Sequence, residues 1–518
     1  MVARLWRRYW FEPGGRASAA VLRIAIATSA LMTMLPLHRG RGGHPGDYAQ
    51  TGYHALGILK LLPIQPGATL LHAWWLVALV GALAMLVGFR TRLATLLAVI
   101  PLLAITSYTY SFKDSWSHDF NLPLLALLAF LGARGGDAWS VDAWWRERRG
   151  LPAPPDDYPH HASVRLVQLA IAMVMVSAAF SKLVSGHMSL DWALSDNLRH
   201  QIMVRFDLKG LPRPPHAEWL LAEPVRWKTA AMLNLVAQLA PLVACLAVRR
   251  PLVRAVCGAI FATEVVGLSV VMGFWDPHWF PLVAAFVDWD WLLAKLRRQP
   301  LVRSTEPVLP GHGVRAYVLV FVTFDLVIPF WHWPLIDQKL KAYPFSSFPM
   351  FSSIRARPPY DQHQLYEMFE AHVEADCDPP AHAVFRRWLD AYPADRFLAL
   401  RSPRELQAAL ERVRADARAA FPELGIRNVR AQLRAIQAQP YPAAARFDRV
   451  DVATIAELSA DGGFVSRVDP GARPGGELAY YLGGRFVPLV APPAIGLPAG
   501  AYLVNRVGER WFFVAGPF

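Results

Sequence analysis

The run VRLVQLAIAMVMVSAAFSKLVSGHMSLDW, residues Val164–Trp192, decides how the chain is read. It opens as an apolar segment long enough to cross a bilayer, since a spanning helix needs about 20 residues. It closes on Lys182, among the small residues Ser177, Ala178, Ala179 and Ser181, which let a neighbouring helix come close. A lysine at such a helix end either snorkels to the interface or stays dry as a reactive amine. A dry lysine acts as a base only in its neutral form.

The rest of the chain repeats the apolar pattern. Of 518 residues, 54% are apolar and only 18% charged. Mean hydropathy is +0.25. Long uncharged runs alternate with clusters of arginine, the profile of an α-helical polytopic membrane protein. The net charge of +13 does not call for nucleic acid, because much of it sits in short turns between apolar runs. Three cysteines, with Cys245 and Cys257 in apolar segments and Cys377 apart, give neither a disulfide framework nor a metal spacing. P-loop, HExxH, GxSxG and dinucleotide fingerprints are all missing from the sequence.

Nine spans are predicted, near residues 17–35, 70–88, 93–110, 115–133, 164–183, 228–248, 252–273, 275–293 and 315–333. The first is read as a retained helix, because no small-x-small cleavage site precedes HRGRGG. Arginines occupy alternate connections: Arg90 and Arg92, then Arg134 to Arg149, Arg249 and Arg250, and Arg297 to Arg303. That alternation predicts a cytoplasmic N-terminus, and an odd number of spans then puts the C-terminus outside the inner membrane. From Pro334 the chain turns charged and proline-rich, so residues 1–333 are expected to form the membrane domain and 334–518 a soluble extracytoplasmic α+β domain. Helices are predicted at Pro380–Leu389 and Pro403–Ala420, with strands and turns after Tyr441.

The purely apolar part of the fourth span, Leu122–Leu131, is too short to cross, so its helix is expected to begin within SWSHDFN. Ser117, His118, Asp119 and Asn121 are thereby drawn to the membrane edge, where such groups are tolerated if they line a protein-walled cavity. By the predicted topology they share the outer leaflet with Lys182. Glu264 and Asp325 lie within spans, and intramembrane acids default to functional or paired roles. Glu264 is expected to line the cavity or hold a cation; a structural partner role is the plainer reading. Asn234 and Gln238, four apart, read as interhelical hydrogen-bonding residues. His160–His161 and DPHW, residues 276–279, lack supporting metal-ligand spacing.

The pieces SWSHDFNLPLLALLAF, GGDAWSVDAWW and RLVQLAIAMVMVSAAFSKLVSGHMSLDWALSD, in this order, resemble the HTTM family. This is the membrane module shared with vitamin K-dependent gamma-glutamyl carboxylase. PFSSFPMFS, Pro344–Ser352, is similar to a segment of bacterial members, and the likeness covers roughly residues 15–355. It implies a base at Lys182 acting toward a reduced lipid quinone (menaquinone, ubiquinone or a vitamin K-like molecule), with O2 and CO2 as co-substrates. It also implies that His118 hydrogen-bonds the quinone; Ser117, Asp119, Asn121 and Glu264 are expected around the cofactor from their own places at the cavity edge and within a span. A periplasmic peptide, protein or small molecule would be the substrate. Where the carboxylase has Lys-Lys-Leu, this chain has Ser181-Lys182-Leu183, and Ser117 stands where the carboxylase has an asparagine before the histidine. A second reading, of another class, is a non-catalytic membrane binding or assembly protein, or a transporter, that retains the cavity.

Overall fold

The computed structural model describes residues 2–34, 55–62, 64–111, 120–152, 158–186, 188–207, 212–273, 276–300, 307–331, 344–345, 366–376, 403–420, 422–423, 425–438, 441–442, 444–446, 448–466, 477–482, 485–488, 502–507 and 510–515. The chain divides into two compact units, Met1–Ile354 and Arg355–Phe518.

The first unit is helical. Among its described residues, seven helical stretches are long and apolar enough to cross a membrane. They are α2 (Arg16–Met34), α3 (Ala68–Val87), α4 (Thr91–Tyr110), α7 (His161–Ser185), the broken helix α11 (Pro224–Ala237) with α12 (Ala240–Leu246), α13 (Pro251–Met272) and α15 (His312–Trp331). Shorter helices fill the connections: α1 (Val2–Trp10), α5 (Asn121–Phe130), α6 (Val141–Arg148), α8 (Asp191–Leu194), α9 (Asn197–Phe206), α10 (Pro215–Leu221) and α14 (Trp289–Leu296). The central helix is α7, with 78% of its most apolar window buried. That fits a segment apolar on every face, which satisfies itself only inside a bundle.

Two predicted spans take another form. The fourth is the ten-residue α5, about 15 Å long at the α-helical rise, and it begins at Asn121, the last residue of SWSHDFN. Residues 112–119 lie outside the described residues. At 275–293 an α-helix is replaced by a 3-10 helix, Pro277–Phe286, followed by α14. Pro277 and Pro281 supply no amide donor, which weakens an α-helical ladder there. The 3-10 rise of about 2 Å per residue carries the same ten residues further than an α-helix would. This segment runs antiparallel to α2. Ser29 Oγ donates to the His278 carbonyl at 2.6 Å, and further along the Asp290 carboxylate accepts from the amides of Ala17 and Ser18, each at 3.0 Å.

The turn between α3 and α4 shows how tightly the hairpins close. Gly88 ends α3 in the left-handed region, φ +73°, where a Cβ would lie 2.6 Å from the Arg23 guanidinium. At Gly81 a Cβ would meet the α4 backbone at Ala98 N, 2.5 Å away, so only glycine allows this helix crossing.

The bundle has two chemically different ends. At one, Arg23 donates to the carbonyls of Gly135 and Trp139, Arg165 pairs with Glu12 at 2.6 Å, and Arg254 faces Asp288 at 3.5 Å. At the other, α8, α9 and α10 fold between the C-terminus of α7 and the start of α11.

The second unit is α+β. Strands β1 (Tyr366–Ala375), β2 (Val429–Ala438), β3 (Asp448–Leu458) and β4 (Phe464–Ser466) form an antiparallel sheet in chain order, with α16 (Pro403–Ala420) packed on it. A second antiparallel sheet has the order β6 (Arg485–Pro488), β5 (Glu477–Leu482), β7 (Tyr502–Val507), β8 (Arg510–Ala515). The helix at 403–420 and the strands after Tyr441 appear as the sequence predicts. Strands β1 and β2 lie in the half read as helical, and residues 380–389 lie outside the described residues.

Candidate active site in the helical unit

Lys182 sits in the last turn of α7, with only 1% of its surface exposed. It does not snorkel. A buried ammonium or amine needs partners for its hydrogens, and the sequence supplies two amides on one face of α11. Nζ donates to Asn234 Oδ1 at 2.5 Å and to Gln238 Oε1 at 3.0 Å. The same two amides donate onward, Asn234 Nδ2 and Gln238 Nε2 both to Glu264 Oε1, the latter at 3.3 Å.

The chemistry fixes the direction of this network. The Lys182 N–H groups donate and an ionised Glu264 accepts, so both amides turn oxygen toward Lys182 and nitrogen toward Glu264. The result joins α7, α11 and α13 through four hydrogen bonds while keeping the cation and the acid one amide apart. Trp192 of α8 closes the other side, its ring centroid 4.4 Å from Nζ, a cation–π distance.

The network forms the polar wall of a cavity of about 840 Å³. Lys182, Trp192, Gln201, Asn234 and Glu264 line it, and nearly all of the remaining wall is aliphatic. Leu233, Val236, Leu239 and Val243 line the cavity and are also exposed on the outer faces of α11 and α12. The cavity therefore opens onto the apolar flank of the bundle. A volume of this size and lining suits a drug-sized apolar molecule with a polar end.

The residues singled out from the sequence fall into three groups. Lys182 and Glu264, 82 positions apart in the chain, are brought together. Ser117, His118 and Asp119 lie outside the described residues. Asn121, the first residue of α5, is fully buried, but its Nδ2 donates to the Pro344 carbonyl at 2.7 Å, and it is not among the residues lining the cavity. Asp325 is buried on α15 and does not line the cavity either.

Sequence reasoning saw Asn234 and Gln238 only as interhelical hydrogen bonders; their spacing gave the shared face but not the partners. Trp192 and Gln201 gave no signal of their own. On α9, next to Gln201, burial and the neighbouring charge of Arg199 push the fully buried His200 imidazole down to about 3, so it is neutral at physiological pH. The remaining histidine motif is structural at His160, whose Nε2 lies 3.1 Å from Asp137 Oδ2. Among the described residues no cluster of three metal-ligating side chains occurs.

Comparison with protein families, with curated proteins and with solved structures finds no match for this chain.

Proposed function

We propose that the helical unit is a membrane enzyme that uses Lys182 as a base beside an apolar, hydroxyl-bearing lipid of the quinol class. The observation that carries this reading is the buried Lys182 amine, held by Asn234 and Gln238 at the polar end of a cavity open to the apolar flank. The residues present fit such a group: an aliphatic sleeve for a hydrocarbon tail, with amine, amide and carboxylate gathered at one end. When bound, a reduced quinone supplies the electrons that drive proton abstraction from, and carboxylation of, a second substrate with O2 and CO2, as in the carboxylase that the sequence resembles.

The chain's own part is to accept and hold a proton. Asn234 Oδ1 and Gln238 Oε1 take two of the N–H positions of Nζ, so an incoming proton occupies the third. Glu264 offsets the positive charge through the two amides without forming a contact pair that would lock it. Trp192 shields the amine from water on one side. The arginine-rich end is assigned to the cytoplasm of a bacterial inner membrane and the residues beyond α15 to the periplasm, because the basic turns alternate as the positive-inside rule requires.

A non-catalytic lipid-binding protein is the second reading, favoured by the Lys182 amine already being engaged by Asn234 and Gln238 within the protein's own network. One experiment separates the two. Lipid extracts of the purified chain are analysed by mass spectrometry for a co-purifying quinone, and quinone oxidation is followed with Lys182→Met. The enzyme reading expects bound quinone in both proteins and turnover only in the parent. Undiminished turnover in the variant excludes the base role, and bound quinone with no turnover in the parent selects the binding protein.

A further inference from the structure

The short helix α6 is fixed to the bundle through Asp142 and Arg146. Asp142 Oδ1 accepts from the Arg90 amide at 2.7 Å, and Oδ2 accepts from the Thr91 amide at 3.0 Å and the Thr91 hydroxyl at 2.9 Å. Ser140 caps the helix by accepting from the Ala143 amide at 2.9 Å, and Arg146 turns inward to Asp137 at 3.6 Å. Two tryptophans and two arginines are left facing outward. Trp144 is 52% and Trp145 43% exposed, and Arg148 and Arg149 are exposed beside them.

These four side chains are stacked in pairs. The Arg148 guanidinium lies 4.6 Å from the Trp144 ring centroid, and that of Arg149 lies 5.0 Å from Trp145. Trp145 stacks in turn on Phe89 at 6.3 Å, and Arg90 stands 5.9 Å from the Phe89 ring. With Arg92, also exposed, the strip holds four outward arginines against one exposed acid, Glu147, among the described residues. An arginine stacked on an indole keeps its planar fork oriented and its edge donors turned away from the ring, which is the geometry that grips a phosphate in two places.

We infer that this strip is a binding site for the phosphodiester headgroups of anionic phospholipids, phosphatidylglycerol or cardiolipin. The indoles sit at headgroup depth, as tryptophans at membrane interfaces do, and Arg148 and Arg149 clamp the phosphate. Charge complementarity argues for this occupant over a zwitterionic lipid. The opposite end of the bundle shows the contrast: Arg226 stacks on the exposed Trp219 at 4.7 Å, but its Nη2 is 2.8 Å from Glu223, so that pair carries no net charge to recruit an anion.

The test uses the full-length chain. Binding of phosphatidylglycerol and of cardiolipin is titrated by native mass spectrometry, and competition is repeated in nanodiscs of phosphatidylcholine with and without phosphatidylglycerol. R148Q/R149Q is compared with the parent and with R226Q. Arg148 and Arg149 are exposed and Arg226 is partly exposed, so none of the substitutions alters the buried core. The double variant is expected to bind anionic lipid about 30-fold more weakly, from about 1 kcal/mol per basic residue at an anionic surface. R226Q and phosphatidylcholine binding should not change. Anionic-lipid affinity unchanged in R148Q/R149Q, or reduced equally in R226Q, overturns the assignment.

Discussion

The basic end of the bundle and the cavity beside α13 each bury a cation and an acid, and they do so in opposite ways. At the basic end the partners touch: Arg165 meets Glu12 at 2.6 Å, Arg249 approaches the other oxygen at 3.3 Å, and Arg165 also lies over the Tyr9 ring. Nearby, burial works against ionisation of Asp137, yet the His160 hydrogen bond and the charges of Arg134, His160 and Arg146 hold its carboxyl below the usual range. In the cavity the partners are held apart by two amides, and aliphatic surface surrounds them. A contact pair neutralises both charges and fixes the chain. A spaced pair leaves the amine one position of freedom, as the proposed base role requires.

Four measurements can break or sharpen that contrast. The largest effect is expected for Glu12→Gln, which leaves the Arg165 guanidinium buried without its carboxylate. Thermal unfolding in detergent should show a loss of about 3–5 kcal/mol. A loss below about 1 kcal/mol would mean that the basic end is not a rigid pair.

Lys182→Met and Glu264→Gln should each cost less, about 1–3 kcal/mol, because the orphaned hydrogen-bond partners are neutral amides. In the double variant the losses should not add, with a coupling of about 0.5–3 kcal/mol. Strict additivity would show that the two residues do not sense each other through Asn234 and Gln238.

His200 gives a pH signature outside both networks. Its folded-state value of about 3 lies below the unfolded value near 6.5, so the unfolded chain binds the extra proton. The contribution to stability is complete above pH 6.5 and is lost progressively as pH falls toward 3, by up to about 1.4 kcal/mol per unit. Unfolding measured between pH 7.5 and 5 should show this slope, and His200→Gln should flatten it.

The smallest effect belongs to Asp142→Ala, which removes the cap from the start of α4 and should cost about 1 kcal/mol by the same assay. No measurable change would show that the α6 attachment contributes nothing to the basic end.

Much of this architecture is legible in the sequence, because hydrophobic length is a one-dimensional signal. The seven long helices fall at predicted segments, and α7 with its terminal lysine was visible as an apolar, small-residue-flanked stretch, with snorkelling and a dry amine both left open. The segment at Pro277–Phe286 was not, since composition records apolar length and not the choice between α and 3-10 bonding. In the second unit, Val429, Ala431, Leu433 and Ala435 alternate with polar residues, a strand pattern overlooked beside the strongly helical run at 403–420. The site was legible by parts. Lys182 and Glu264 were conspicuous as charges in apolar runs. Their bridge needed the rotation of α11 about its axis, which a four-residue spacing leaves undetermined. Trp192 reaches the amine only through the fold of α8 against α11, a contact with no sequence spacing to announce it.

The side opening of the cavity, framed by Leu233, Val236, Leu239 and Val243, also sets how occupancy is to be measured. A molecule that arrives through that gap is dissolved in the bilayer, so its effective concentration is its mole fraction among lipids and not its amount per litre of buffer. Extracting the protein into a large excess of micelles dilutes such a ligand two-dimensionally and can strip it, whereas reconstitution at low lipid ratio concentrates it. Saturation curves for this pocket should therefore collapse onto one line when plotted against ligand per lipid.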